Sequence, residues 1–218
     1  MANEFGNFFD DTSIELNACR ENNLIHLARA IGQGFNINER IHGTHCLSEA
    51  IKSGSFETVD LLLNSGASLT NVDFEGRRPL HVAINLQDVV LRWRMVLLLL
   101  RAGDCVREPQ GLTTTTTIHE AVRVDDFRLV QISFEAGADI NCFADNYDIY
   151  TACTPLHEAM TLEGHRRVKM VQELIAMGSN IQLHRNGYTC LHKVIDQSEC
   201  QWEIVKVVLD AGLSINVQ

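Results

Sequence analysis

The sequence predicts an all-α solenoid of helix-turn-helix units joined by extended, β-hairpin-like fingers, and three observations indicate this fold class. One seven-residue frame recurs, most clearly as RPLHVAI (78–84), TPLHEAM (154–160) and TCLHKVI (189–195). A glycine follows each copy, in contexts such as NSGASLT and EAGADIN. The copies are spaced by 33 to 38 residues, which is the period of a stacked repeat protein.

Six copies of the frame cover nearly the whole chain. The histidine position of the frame is occupied, in chain order, by Glu15, Ser48, His81, His119, His157 and His192. The glycines that follow are Gly34, Gly66, Gly103, Gly137, Gly178 and Gly212. These landmarks predict one repeat domain over 1–218, with repeats at approximately 8–40, 41–73, 74–109, 110–144, 145–184 and 185–218.

Each repeat has the signals for two short helices. In TPLH, Thr154 is a good N-cap, and Pro155 follows at the first helical position, where its missing N–H costs nothing. An apolar-rich segment such as FETVDLLLNSG (56–66) then predicts a second helix, closed by a left-handed glycine. Neither helix is long enough to persist alone in water, so stacked neighbours must supply the core.

The elements follow in order, with some departures from regularity. TSIELNA (12–18) is a degenerate first copy, and in the threonine run of residues 113–117 Thr116 is the expected N-cap with Thr117 in place of proline. From the histidine position to the glycine there are 18 residues in repeats 2 and 4, but 22, 21 and 20 in repeats 3, 5 and 6. We expect the additional residues in the loops between the two helices, either as neutral drift or as part of a binding face.

These motifs resemble the ankyrin-repeat family in period, in the TPLH-like cap and in the GADIN-like turn. The resemblance implies a stack that binds another protein, as a peptide, a helix or a folded domain, on the concave face made by the fingers and first helices. It also implies that the variable contact positions lie seven, six and four residues before the cap histidine, and four and five after it.

The residue-by-residue transfer gives a set of candidate contact residues, which includes Asn85 in repeat 3. The finger insertion CFADNYDIYTAC (142–153) contributes Tyr147, because aromatic side chains beside acids are typical of protein contacts. The partner-binding candidates are Phe74, Glu75, Arg77, Leu86, Leu112, Thr113, Thr115, Arg123, Tyr147, Tyr150, Leu162, Arg185 and Tyr188. The apolar members, flanked by arginines, suit a peptide or helix with acidic and apolar side chains.

Catalytic and metal-binding interpretations find no support in the sequence. The pairs His119-Glu120 and His157-Glu158 resemble the start of HExxH, but Arg123 and Thr161 stand where the second zinc-binding histidine is required. A zinc site shared by Cys153, His157, Cys190 and His192 conflicts with the spacing of stacked helices. We expect cap histidines, no enzyme, no metal and no cofactor.

Two basic clusters stand out, and two explanations remain open for each. One comprises Arg92, Trp93 and Arg94 with Arg101 and Arg107 nearby, and the other is GHRRVK (164–169). Either cluster suits an acidic partner segment or a phosphate, but a solvated outer-helix face has the same composition.

Composition limits the partners and the compartment. A formal net charge of −10 argues against nucleic acid as a partner. The longest apolar run, Met95 to Leu100, is too short for membrane insertion. Seven cysteines without a CxxC pair, and no signal-peptide pattern, indicate the cytoplasm or the nucleus.

The predicted function is therefore a non-catalytic adaptor, scaffold or inhibitor that binds a protein and takes no small-molecule substrate. The alternative is a regulatory or targeting region of a longer enzyme, of a ubiquitin-ligase substrate receptor or of a channel. The final DAGLSINVQ favours the alternative, because it follows an apolar second helix without a polar closing repeat.

Overall fold

The structure is a computed structural model that describes residues 11–107, 115–144, 153–184, 187–195 and 202–212. The chain divides into two compact units, Met1–Asp104 and Cys105–Gln218. In the described residues every regular element is helical, and the helices follow one another as short pairs. No helix in these ranges is both long and apolar enough to cross a membrane.

The first unit contains three helix pairs in two layers. Its helices are α1 (Asp11–Arg20), α2 (Leu24–Gly32), α3 (Cys46–Lys52), α4 (Phe56–Asn64), α5 (Pro79–Ile84) and α6 (Val89–Arg101). The first helices of the pairs pack side by side, α1 on α3 and α3 on α5, and each second helix packs on its own partner. Leu27, Leu62 and Leu99 are fully buried between the layers.

The second unit repeats this arrangement. Its helices are α7 (Thr117–Arg123), α8 (Phe127–Glu135), α9 (Pro155–Ala159), α10 (Gly164–Ala176), α11 (Cys190–Ile195) and α12 (Trp202–Asp210). Helix α9 packs against both α7 and α11, and each second helix contacts its own partner. Leu129, Leu156 and Leu174 form the centre of this core and are almost completely buried.

The helices begin and end where local chemistry requires. Thr116 and Thr154 are the N-caps of α7 and α9, and Pro155 occupies the first helical position, as predicted. Each second helix is followed by a glycine with positive φ, for example Gly66 at 90° and Gly137 at 94°. The chain then turns back, because the Ala67 N–H donates to the Leu62 carbonyl over 2.9 Å.

The connecting segments form fingers with little regular pairing. Ile41 and Thr44 form one isolated antiparallel bridge, and Ala144 and Cys153 form another. Between the second and third repeats the fingertip is closed by Asp73, whose carboxylate accepts from the backbone N–H of Glu75 (3.0 Å) and of Arg77 (2.9 Å). Such an Asx turn fixes the direction of the residues that follow.

The insertions of repeats 3 and 5 correct one expectation. We expected them in loops between the helices, but α6 and α10 have 13 residues each, against nine in α4 and α8. The additional residues therefore lengthen the second helix at its N-terminus by about one turn. Residues 196–201, which contain most of the corresponding insertion in repeat 6, lie outside the described ranges.

Candidate functional site

A groove of about 650 Å³ opens on the first unit. It is bordered by the C-terminal ends of α1 and α3, by the finger residues 74–77 and by the turn between α5 and α6. All five contact positions transferred to repeat 3 line this groove, and they are Phe74, Glu75, Arg77, Asn85 and Leu86. The finger and the helix turn, about ten residues apart in sequence, thus meet at one depression.

The apolar part of the groove combines exposed and half-buried side chains. Phe74 is 65% exposed, so much of its side chain is accessible. Leu86 and Leu91 are half-buried beside it. Gly54 makes room for Leu91, because a Cβ atom at Gly54 would lie 2.6 Å from the Leu91 Cδ2 atom. The groove therefore presents apolar surface.

Asp73 is the first of two carboxylates that organise the charges of the groove. Its side chain is fully buried, and it accepts from the Arg77 guanidinium (3.0 Å) and from Lys52 Nζ (3.2 Å). Arg77 also pairs with Glu75 over 2.9 Å. Burial by itself raises the pKa of Asp73, but the hydrogen bonds from Arg77 and Lys52 outweigh burial and hold this pKa below its usual value.

Glu49 is the second organising carboxylate. It accepts from Arg20 Nε (2.8 Å), Thr44 Oγ1 (3.0 Å) and Lys52 Nζ (3.3 Å). Burial again opposes ionisation, but the Arg20 hydrogen bond and the Lys52 charge outweigh it and lower the pKa of Glu49. Lys52 also lies 4.8 Å from the centre of the Phe74 ring, so the charge network supports the exposed aromatic side chain.

These contacts reduce the positive charge that the candidate arginines offer to a partner. The sequence suggested that Arg77 and Arg123 would attract acidic groups of a partner, but both already pair with two carboxylates. Arg77 pairs with Asp73 and Glu75, as described above. In the second unit, Arg123 pairs with Glu120 (2.7 Å) and Glu158 (3.0 Å). Their positive charges are thus largely compensated within the fold.

Thr115 differs from the prediction. It was expected to face a partner, but it is only 3% exposed. The residue directly before a helix cap is also buried at Thr44 and Cys153, whereas Arg77 and Tyr188 are half-buried at the same position. The side chain of Thr115 is therefore not available for a partner.

The remaining candidates of the second unit lie apart from one another along the repeats. Leu162 is half-buried in the turn between α9 and α10, where its carbonyl accepts from the Arg167 guanidinium. Tyr188 is half-buried and stacks on His192, with ring centroids 5.5 Å apart. The candidates that lie outside the described residues are Leu112, Thr113, Tyr147, Tyr150 and Arg185.

The cap histidines are engaged in structural hydrogen bonds. His119 Nδ1 lies 2.9 Å from Thr116 Oγ1, and His119 Nε2 lies 3.0 Å from the carbonyl oxygen of Cys153 in the next repeat. Because a carbonyl only accepts, Nε2 carries the proton. His157 repeats the first contact, with Nδ1 2.8 Å from Thr154 Oγ1. The histidines of the two His-Glu pairs therefore stabilise the N-termini of α7 and α9.

Sequence reasoning missed the residues that support the groove. Arg20, Glu49, Lys52 and Asp73 were not among the candidates, although they hold Phe74 and Arg77 in place. One signal was present, because DFEG (73–76) has aspartate and glycine at the ends of a typical turn. Arg20 comes from α1 and Glu49 and Lys52 come from α3, and only packing brings these helices to the fingertip at Asp73.

Comparison with known proteins places this geometry among ankyrin repeats. A family model described as ankyrin repeats, in three copies, matches residues 118–218. The chain is similar to the crystal structure of the human ASB11 ankyrin repeat domain, with 25% identity and a TM-score of 0.71, over 94% of this chain and 86% of that domain. A search of curated proteins found no match.

A second solved structure supports the fold alone. It is an ankyrin repeat domain from Acinetobacter baumannii AYE, with 19% identity and a TM-score of 0.75, over 94% of this chain and 100% of that chain. Together with the helix pairs described above, these likenesses confirm the predicted fold class, an all-α ankyrin-repeat solenoid.

Proposed function

Because this chain is an ankyrin-repeat protein, we propose that it is a non-catalytic interaction module that binds a protein partner in the groove of its first unit. Ankyrin repeats are generally modules for protein–protein interaction. A fold does not name a partner, so the proposal depends on the groove itself.

One observation carries the proposal. The family's contact positions were transferred to repeat 3 from the sequence alone, and all five of them line one groove. At its edge Phe74 is 65% exposed while the surrounding charges are paired with one another. Aromatic side chains, phenylalanine included, are enriched at protein–protein interfaces.

The charges of the groove indicate the chemistry of the partner. Three cations and three carboxylates form its network, which consists of Arg20, Lys52, Arg77, Glu49, Asp73 and Glu75. Since they compensate one another, a strongly charged segment gains little there. We expect an uncharged, apolar segment of the partner to pack on Phe74 and Leu86.

The cellular role that we propose is that of an adaptor, scaffold or inhibitor in the cytoplasm or nucleus. The buried or half-buried cysteines Cys19, Cys46, Cys142, Cys153 and Cys190 are free thiols. Free thiols are the usual state of cysteine in those reducing compartments.

Affinity purification with matched variants tests the groove. We expect Phe74→Ser/Leu86→Ser to lose proteins that the unchanged protein enriches. Phe134→Ser, which alters another exposed phenylalanine on α8, should keep them. Each lost protein is then purified, and its dissociation constant is measured against all three chains. A loss of at least about tenfold in affinity, at an unchanged melting temperature, is expected for the groove variant.

Two results would contradict the proposal. Equal enrichment by the groove variant and the unchanged protein would place binding elsewhere. Loss of the same proteins by Phe134→Ser would show that the effect is not specific to the groove.

A further inference from the structure

Helix α6 has apolar side chains on two opposite faces. Its core face contains Met95, Val96 and Leu99, all buried. On the opposite face, Val90 is 62% exposed and Leu97 is 40% exposed. A helix that packs on one side of a soluble protein normally has polar residues on the other side. The outer face of α6 therefore departs from the usual pattern.

Helix α4 of the same unit shows the usual pattern. Its buried residues are Thr58, Val59 and Leu62, and its exposed face carries Glu57, Asp60 and Asn64. The apolar outer face of α6 is thus not shared by α4, although α2 of this unit also has one exposed apolar residue, Ile25. It is associated with the lengthened α6, because Val89 and Val90 belong to the additional first turn.

The apolar residues on this face follow the spacing of a coiled-coil seam. Val90, Trp93, Leu97 and Leu100 are separated by three, four and three residues, as the a, d, a and d positions of a heptad are. Trp93 and Leu100 are half-buried and lie on the flank of the exposed line. We name this surface, formed by these four residues with Arg94 and Arg101, the α6 seam.

Arg94 and Arg101 lie along one edge of the α6 seam, at the two e positions of the heptads. Both are exposed, and within the described ranges neither forms an ion pair with a carboxylate. The Arg94 guanidinium lies 4.6 Å from the centre of the Phe56 ring, which holds it beside the seam. These arginines contrast with Arg77 of the groove, whose charge is compensated twice.

We propose that the α6 seam binds an amphipathic helix of another protein, with apolar a and d residues and with carboxylates facing Arg94 and Arg101. Charged residues at the e positions of a coiled coil determine which partner helix it binds, and here both e residues are positively charged arginines. A second copy of this chain does not meet the requirement. If α6 of a second copy packed antiparallel, the arginine-bearing edges of the two helices would lie against each other. If it packed parallel, Arg94 and Arg101 would face Val89 and Val96 of the other copy.

The length of the α6 seam limits how tightly a partner helix can bind. The 13 residues of α6 offer about two heptads, which is short for a coiled coil. However, α6 is already folded and anchored in the core, so only the partner helix loses freedom on binding. We therefore expect a transient contact that weakens as salt is added, because carboxylate–arginine pairs at an exposed edge are screened.

Two synthetic helices test the α6 seam directly. Both have about three heptads, enough to form a helix, with leucine at every a and d position. One probe has glutamate at every e and g position and the other has lysine, so each repels itself. Binding to the full chain is measured by fluorescence anisotropy at low and high salt. We expect the glutamate probe to bind at least about tenfold more tightly than the lysine probe.

The overall charge of the chain makes this result diagnostic. With a formal net charge of −10, general electrostatics favours the lysine probe. Preference for the glutamate probe therefore requires a local basic surface. Arg94→Glu/Arg101→Glu should invert the preference, and Val90→Ser/Leu97→Ser should weaken binding of the glutamate probe at least about tenfold. Phe74→Ser/Leu86→Ser, which alters the groove, should bind both probes like the unchanged chain.

Several outcomes would overturn the inference. The first is that the unchanged chain binds the lysine probe more tightly than the glutamate probe. The second is that Arg94→Glu/Arg101→Glu still prefers the glutamate probe. The third is that the groove variant no longer binds the glutamate probe. A concentration-dependent dimer that Leu97→Ser abolishes would make a second copy the occupant instead. All substituted seam residues are exposed, and thermal unfolding of each variant verifies that it is folded.

Discussion

His119 connects two neighbouring repeats through one side chain. Its Nδ1 atom lies beside the Thr116 cap of its own helix, and its Nε2 atom donates to the Cys153 carbonyl in the next repeat. This geometry needs the neutral ring, in which one nitrogen accepts and the other donates. Burial lowers the pKa of His119 to about 4, and burial likewise lowers the pKa of His157 to about 4.

These histidines predict a pH dependence of stability. Their pKa in the folded chain lies below the value of 6.5 for an unperturbed histidine, so the unfolded chain binds more protons between these values. Their contribution is complete above pH 6.5 and is lost as the pH falls towards 4. We expect a loss of roughly 2 kcal/mol per histidine between pH 7.5 and pH 5. Urea unfolding across this range measures it.

A matched pair of variants separates the cap histidines from other groups. Glu49 and Asp73 also have lowered pKa values, but carboxylates lose their contribution at lower pH than histidines do. His119→Asn should reduce the slope of stability against pH. His165→Gln, which changes an exposed histidine, should leave the slope unchanged. An equal slope in His119→Asn and the unchanged protein would contradict this account.

Gly137 gives a second prediction at the residue scale. Its φ of 94° is one that side chains with a Cβ atom rarely adopt, and a Cβ atom there would lie 3.1 Å from Arg107 Nη2. Arg107 Nε in turn donates to the Gly137 carbonyl over 2.7 Å. Gly137→Val should therefore destabilise the protein by more than about 1 kcal/mol in thermal or urea unfolding.

A comparison of alanine variants isolates the two causes. Gly66 has a φ of 90°, and a Cβ atom there would have no neighbour within 4 Å, so Gly66→Ala probes the backbone conformation alone. Gly137→Ala must also displace the Arg107 side chain and should cost more than Gly66→Ala. An unchanged melting temperature for Gly137→Val would mean that the backbone at this position tolerates a side chain.

At the scale of elements, the lengthened helices α6 and α10 share one device. The fourth residue of each helix is a buried arginine, Arg92 or Arg167. Arg92 Nε donates to the Leu86 carbonyl over 2.8 Å, and Arg167 Nε donates to the Leu162 carbonyl. Each arginine thus bonds back to the turn before its helix. The hydrogen bond thus anchors the additional helical turn to the short turn that precedes the helix.

Neighbouring arginines allow a sharp test of this device. Arg167→Leu removes the hydrogen bond from the buried, charged Arg167 side chain to the Leu162 carbonyl and should destabilise by about 1–3 kcal/mol. Arg166→Leu removes only an exposed, long ion pair with Asp125 (3.5 Å) and should cost less than about 1 kcal/mol. Urea unfolding of both variants makes the comparison. Equal costs of the two substitutions would contradict a stabilising role for the hydrogen bond of the buried Arg167.

At the scale of the molecule, the two units are built alike, and both proposed surfaces lie on the first one. The groove has compensated charges and an exposed aromatic side chain. The α6 seam has exposed apolar residues beside two arginines without carboxylate partners in the described ranges. The two surfaces therefore suit different partner chemistry, one uncharged and one acidic.

Much of the fold was predictable because its signals are local. The Thr154-Pro155 start and the turn at Gly66 depend on residues adjacent in sequence, and both were predicted correctly. The candidate contact positions of repeat 3 follow from a fixed spacing, and all five line one groove. The placement of the insertions in repeats 3 and 5 was wrong, because a short insertion fits a loop or an additional helical turn equally well in the sequence.

The sequence by itself determined the repeat, the helix caps, the glycine turns and thus the fold class, since each depends on short-range chemistry. Only the tertiary structure decided that Thr115 is buried and that Arg123 pairs with Glu158 of the next repeat. It also left the outer face of α6 exposed. Burial and charge pairing depend on residues from separate repeats, such as Glu49 beside Arg20, and spacing within one repeat does not encode them.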